Sequence, residues 1–274
     1  MNDDVAESLN LNDPDFAKAV NYSMNALRIE IAKLDRSSDM TSSVGRTQLE
    51  WIEQRLGPYS YVKMFRRHMT LARETMRDGV RYLKRDPKKS LVPVIAARCA
   101  IENAGIARWV SEASPKVIVE RVIERELGNI ADEQRMMGLF GGDATKYTKR
   151  KNAALLEYVA ENDIDLSEIT TKKGELRPST LTSIMNTIDA HYEAPDDGAM
   201  YKPRSPWSLS SAIIHGSEYP GRILDGLTIK DDHGQLIGIH PLVLSGFLEA
   251  AKNTYQEAMK LYQNLYLTNQ EKET

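Results

Sequence analysis

The 274-residue chain is 41% hydrophobic and 27% charged, with a mean hydropathy of −0.46, enough apolar material for one large core or two modest ones. Its apolar runs fall well short of the roughly 20 residues that span a bilayer, and the acidic first residues lack the basic-then-apolar order of a secretory signal. A single cysteine, Cys99, excludes a disulfide framework and a cysteine-built zinc site, and a net charge of −3 gives the whole chain no nucleic-acid signature; together these features predict a cytoplasmic protein with no membrane partner.

Residues 1–12 carry only acidic charge and are predicted to be a flexible tail. Asp13-Pro14 then has the form of an N-cap followed by proline in the first helical position. Phe16, Val20, Met24, Leu27, Ile31 and Leu34 follow at spacings of three and four, predicting an amphipathic helix that ends before Ser37-Ser38. A shorter helix is expected from about Val44 to Leu56, stopped by Gly57-Pro58. Between Ser60 and Arg85 the period returns, with Phe65, Met69, Met76 and Val80 on one face and Arg66, Arg73, Arg77 and Arg81 on the other. The plain reading of these arginines is a solvated face paired with acidic neighbours. The sharper reading is a surface for anions or nucleic acid.

The segment Leu91–Val110 is apolar nearly all round, which places a helix among other helices. Arg98, Glu102, Gly105 and Trp109 share one stripe of it. Ser90 is its expected cap. Further helices are predicted from Ser114-Pro115 to Gly141-Gly142, from Ala144 to Glu161 behind an Asp143 cap, and from Pro178 to Tyr192. Residues 163–177 read as irregular and 193–204 as a loop. Ser205-Pro206 is expected to cap a short helix ending at Gly216, two short strands are predicted around Asp231-Asp232-His233-Gly234, and Pro241 opens a last helix reaching about Leu267.

Three constellations carry chemistry. The Arg98/Glu102 stripe and the Arg121/Arg125 pair place guanidiniums where a phosphate would need them. Ser211 and His215 stand one helical turn apart, and His215 sits at a helix end where the negative pole of the dipole favours a protonated ring. A histidine to move a proton and arginines to hold a phosphate are what metal-free phosphodiester cleavage requires. The simpler reading is a buried polar network in which Arg98, Glu102 and His215 satisfy one another. His191, His233 and His240 are scattered, no His/Asp/Glu spacing suits a metal, and no glycine-rich phosphate loop is present, so no metal or cofactor is expected.

The run RCAIENAGIARWVSEASPKVIVERVIER, followed some 80 residues later by WSLSSAIIHGSEYPG, resembles a group of bacterial helical proteins loosely similar to the HEPN superfamily of helical-bundle RNases and nucleotide-binding modules. The matching positions are Arg98, Glu102, Trp109, Arg121, Arg125, Ser211 and His215, about a third of the chain being covered. The chain departs from the nucleases of that family in having no arginine four to six residues before His215, the nearest being Arg204. The resemblance implies a toxin or anti-phage setting, with His215 as acid–base, Arg98, Glu102 and Ser211 beside it, and Arg121 or Arg125 on the phosphate.

The fold expected from these observations is all-α, a bundle of about eight helices with one small β-hairpin near 227–239. Residues 13–274 would form a single helical domain in which 13–86 is set off as a subdomain. The leading functional expectation is an interaction or regulatory module of a bacterial defence or mobile-element system. The alternatives are a metal-independent HEPN-like RNase and a nucleic-acid-binding protein using Arg66, Arg73, Arg77 and Arg81. A homodimer and an RNA or protein partner fit the same reading.

Overall fold

Helical periodicity accounts for most of the chain. In a computed structural model the described residues are 14–37, 48–85, 91–139, 141, 143–191, 202–215, 228–230, 236–239 and 241–267. Among them are nine α-helices: α1 (Pro14–Ser37), α2 (Gln48–Leu56), α3 (Tyr61–Arg85), α4 (Val92–Ser111), α5 (Pro115–Leu139), α6 (Ala144–Glu161), α7 (Leu181–Ala190), α8 (Arg204–Ile214) and α9 (Pro241–Leu267). The chain is all-α in character. Two short strands, β1 (Thr228–Lys230) and β2 (Leu236–Ile239), pair antiparallel with Thr228 opposite Ile239. The turn expected between them lies outside the described residues, as do the acidic tail, the Ser90 cap and the Gly216 stop. No described helix is long and apolar enough to cross a membrane.

Local chemistry sets the boundaries. Pro14 opens α1 with a fixed φ and no N–H to leave unsatisfied. Asp143 caps α6 by accepting the Lys146 N–H. The break after α2 falls at Gly57, whose φ of +51° suits glycine, and a Cβ there would stand 2.5 Å from the Tyr158 hydroxyl. Helix α8 starts at Arg204 with Pro203 in the cap position, so the expected Ser205 cap is displaced by two residues. Proline's own φ, near −63° here, already matches the helix.

Two compact units organise these helices. The first takes in the described residues within Met1–Ser43, His68–Ile106 and Met185–Glu257, the second those within Val44–Arg67, Ala107–Ile184 and Ala258–Thr274. Neither coincides with the 13–86 segment expected as a subdomain. In the first unit the apolar stripe of α3, including Met76 and Val80, is buried together with Ala97, Ala100 and Ile101 of α4 and Phe247 and Leu248 of α9. Small residues make this close approach workable: a Cβ on Gly79 would lie 3.1 Å from Leu248 and 3.3 Å from Ala96. Helix α1 is tied down by Glu30, which pairs with Lys252 of α9, itself also bonded to Glu249. Burial works against the Lys252 charge, but Glu249 and Glu30 outweigh it and raise the ammonium's pKa.

The second unit has an aromatic centre. Phe65 stacks on Tyr262 at 4.4 Å between ring centroids, and Tyr61 stacks on the same ring at 5.9 Å. The Ser111 hydroxyl gives its proton to the Ala107 carbonyl at 2.7 Å, so the Tyr61 hydroxyl, 2.7 Å from Ser111 Oγ, is the donor to it. Ile118, Ile123 and Leu155 are fully buried in the same unit.

Candidate functional site

The α4 stripe in the first unit does bring Arg98 and Glu102 together. Arg98 Nε donates to Glu102 Oε1 at 2.8 Å, each side chain being about one-fifth exposed (21% and 22%). The third member is Trp207 of α8, whose indole Nε1 donates to the same oxygen at 2.9 Å. The expected meeting with His215 does not form: His215 is exposed, is the C-terminal cap of α8, and its side chain makes no hydrogen bond with a described residue. Helical rise supplies the reason. Eight residues separate Trp207 from His215, about 12 Å along the helix, so a register that seats Trp207 on Glu102 carries His215 past it. Ser211 is half-buried; its neighbour Ser210 is fully buried and bonded to the Trp207 carbonyl.

The rest of that stripe is packing. A Cβ on Gly105 would come within 2.6 Å of the Met185 methyl and 3.2 Å of Ile188, so a side chain there would push the end of Met185 aside. On the adjoining face His68 Nδ1 donates to Asn103 Oδ1 at 2.8 Å, while Asn103 Nδ2 donates to the Cys99 carbonyl. This arrangement identifies Glu102 as a bridge between two helices. Glu102→Ala, which strands the Trp207 and Arg98 donors, is expected to cost about 2 kcal/mol, read as a lowered urea midpoint at unchanged slope.

In the second unit the Arg121/Arg125 pair has an architectural explanation. The Arg121 guanidinium donates to the carbonyls of Trp109 and Glu112, groups that the end of α4 leaves without intrahelical partners. It also lies over the Trp109 ring, 4.8 Å from the centroid. Between the two arginines in sequence is Glu124, only 5% exposed, which accepts the Ser179 N–H just ahead of α7. Burial lowers the pKa of both arginines; Glu124, with Glu112 and Glu120, acts against the shift at Arg121, and Asp132, ahead of Glu124, does so at Arg125. Arg121 therefore spends its Nη1 donors on main-chain oxygens.

The arginine face of α3 is partly neutralised from within its own helix. Arg73 and Arg77 pair with Glu74 at 3.4 and 3.2 Å, and Arg81 pairs with Asp78 at 3.2 Å. The acidic partners are thus local, and such part-buried to exposed pairs within one helix contribute a few tenths of a kcal/mol each. Arg66 is exposed at the start of the row.

One concavity went unnoticed in the sequence. In the second unit a cleft of about 640 Å³ is lined by Trp51 and Arg55 of α2, Lys116, Val119 and Glu120 of α5, and Asp163, Ile164, Asp165 and Leu166 of the segment after α6. The last wall exists because α6 stops abruptly. Asp163 adopts a left-handed φ of +48°, its N–H bonds to the Ala160 carbonyl, and the Ile164 N–H reaches back to Val159, the Schellman pattern of helix termination. The Asp163 carbonyl then accepts from Arg55 at 3.1 Å. Trp51 is 46% exposed because Leu49, Ile52 and Leu56 form the buried face of α2 and it does not. That off-face tryptophan was the one legible signal.

Charge in the cleft is uneven. Lys116, two-thirds exposed, lies 3.8 Å from Glu120 and 3.7 Å from Asp165. Burial raises the Glu120 pKa; Lys116 acts against the shift, and Asp165 and Glu168 add to it. Asp165 is held low by the N–H and hydroxyl of Ser167. Among the described residues no three His, Cys, Asp or Glu side chains gather as a metal ion requires. Comparison with protein families, curated proteins and solved structures finds no match for this chain.

Proposed function

We propose that the chain is a binding module, an interaction or regulatory protein, whose ligand site is the cleft between α2, the start of α5 and residues 163–166. The observation that carries this reading is the cleft's make-up: a volume in the range of ligand pockets, apolar lining from Val119, Ile164 and Leu166, a half-exposed indole and charged groups from three segments. In the Arg98/Glu102 and Arg121 clusters, by contrast, Arg98 Nε and Arg121 Nη1 are already bonded to internal partners. The test is NMR titration of the full chain with fragments and short peptides of several chemical classes. Shifts should gather at the Trp51 indole, Glu120, Ile164 and Leu166; shifts scattered over the chain, or none with any class, would refute it.

A second reading, a metal-independent HEPN-like RNase with His215 as acid–base, is favoured by the exposure of His215 at the end of α8, one turn after Ser211. Mixed RNA incubated with the chain in EDTA discriminates: cleavage lost in His215→Ala supports it, and equal behaviour of both proteins removes it. Retention on polynucleotide that weakens with salt would instead indicate the arginine face of α3.

A further inference from the structure

We infer that this cleft receives the guanidinium of an arginine side chain presented by a partner peptide. The inference rests on the binding-module reading and adds the chemistry of the ligand. The residues lining the cleft include three acids, Glu120, Asp163 and Asp165, against two cations, Arg55 and Lys116. One of those cations is already engaged with a backbone carbonyl, since Arg55 donates to Asp163 O. The other, Lys116, is mostly in water and meets both of its acids at nearly the limit of an ion pair.

Glu120 is the group left short. Its side chain is 15% exposed, it accepts no hydrogen bond from a described residue, and the charges that favour it are Lys116, at the 3.8 Å edge of an ion pair, and the weaker influence of Arg121. A half-desolvated carboxylate in that position gains most from a planar, two-pronged donor, and guanidinium supplies one. The remaining lining fits the rest of an arginine. Val119, Ile164 and Leu166 offer a surface for its methylene stem. The Trp51 ring offers a face to the delocalised cation. A phosphate or acidic peptide would meet three carboxylates instead, and an uncharged ligand would leave Glu120 as it is.

The experiment titrates the full chain with a blocked heptapeptide of glycine and serine around one central arginine. Parallel arms replace the arginine by citrulline, which keeps the shape and loses the charge, or by glutamate, and a further arm uses spermidine. The arginine peptide should move the Trp51 indole signal and saturate, with citrulline at least about tenfold weaker. Glu120→Gln and Asp165→Asn, each first shown to keep the wild-type urea midpoint, should each weaken the arginine peptide severalfold or more. Equal binding of citrulline, indifference to both substitutions, silence with the arginine peptide, or shifts away from the cleft would overturn the inference. Spermidine binding as tightly as the peptide would overturn its assignment to a peptide side chain. If the glutamate peptide occupies the cleft and the arginine peptide does not, this inference fails while the binding-module reading survives.

Discussion

Glu124→Ala is expected to destabilise the chain by about 2–3 kcal/mol, the cost of leaving a part-buried amide without its charged acceptor. Its carboxylate is 5% exposed and accepts the Ser179 N–H, and its charge acts on both Arg121 and Arg125. Truncation leaves an orphaned amide and removes one of the carboxylates acting on the two guanidiniums, with Glu112 and Glu120 remaining for Arg121 and Asp132 for Arg125. Glu124→Gln keeps an acceptor for Ser179 and should cost clearly less than alanine. Urea unfolding at unchanged slope measures both. If each variant loses under about 1 kcal/mol, the carboxylate is not what secures the approach to α7.

The second large effect is expected at Tyr262. Its ring is 1% exposed and stacks on both Phe65 and Tyr61, so Tyr262→Ala should cost about 3–5 kcal/mol through lost burial and an unfilled cavity. Tyr262→Leu restores much of the apolar volume and should recover over half of that loss, the remainder reflecting ring stacking worth roughly 0.5–1.5 kcal/mol per pair. Equal losses for alanine and leucine would mean that the shape of the ring, not the burial of apolar surface, dominates there.

Helix positions were legible because their causes are local. The alternation of three and four in α1, α3 and α9 follows from burying one face, and Pro14, Gly57 and Asp143 act within a turn of themselves. The partner of Glu102 was not legible. The sequence shows that α8 carries Trp207, Ser211 and His215, but the slide of α8 along α4 is decided by the whole packed surface, and it favours the bulkier indole. The Arg121/Arg125 spacing likewise shows a shared face without saying whether a phosphate or a helix-end carbonyl waits opposite. The cleft was hidden for a third reason. Its walls are ordinary surface stretches, and they become a site only once Asp163 turns left-handed, a conformation that aspartate tolerates but does not advertise.

That turn has a consequence for how the site is inherited or lost. Were α6 to run on by a single residue, the chain beyond it would swing by about 100°, taking Ile164 out of its seat and the Asp163 oxygen away from Arg55. The recess would then flatten into a plain surface with every one of its side chains still in the sequence. Glycine or asparagine at 163 should therefore preserve the recess, and valine there should erase it, so that one backbone angle decides whether α2 faces a receptacle or open water.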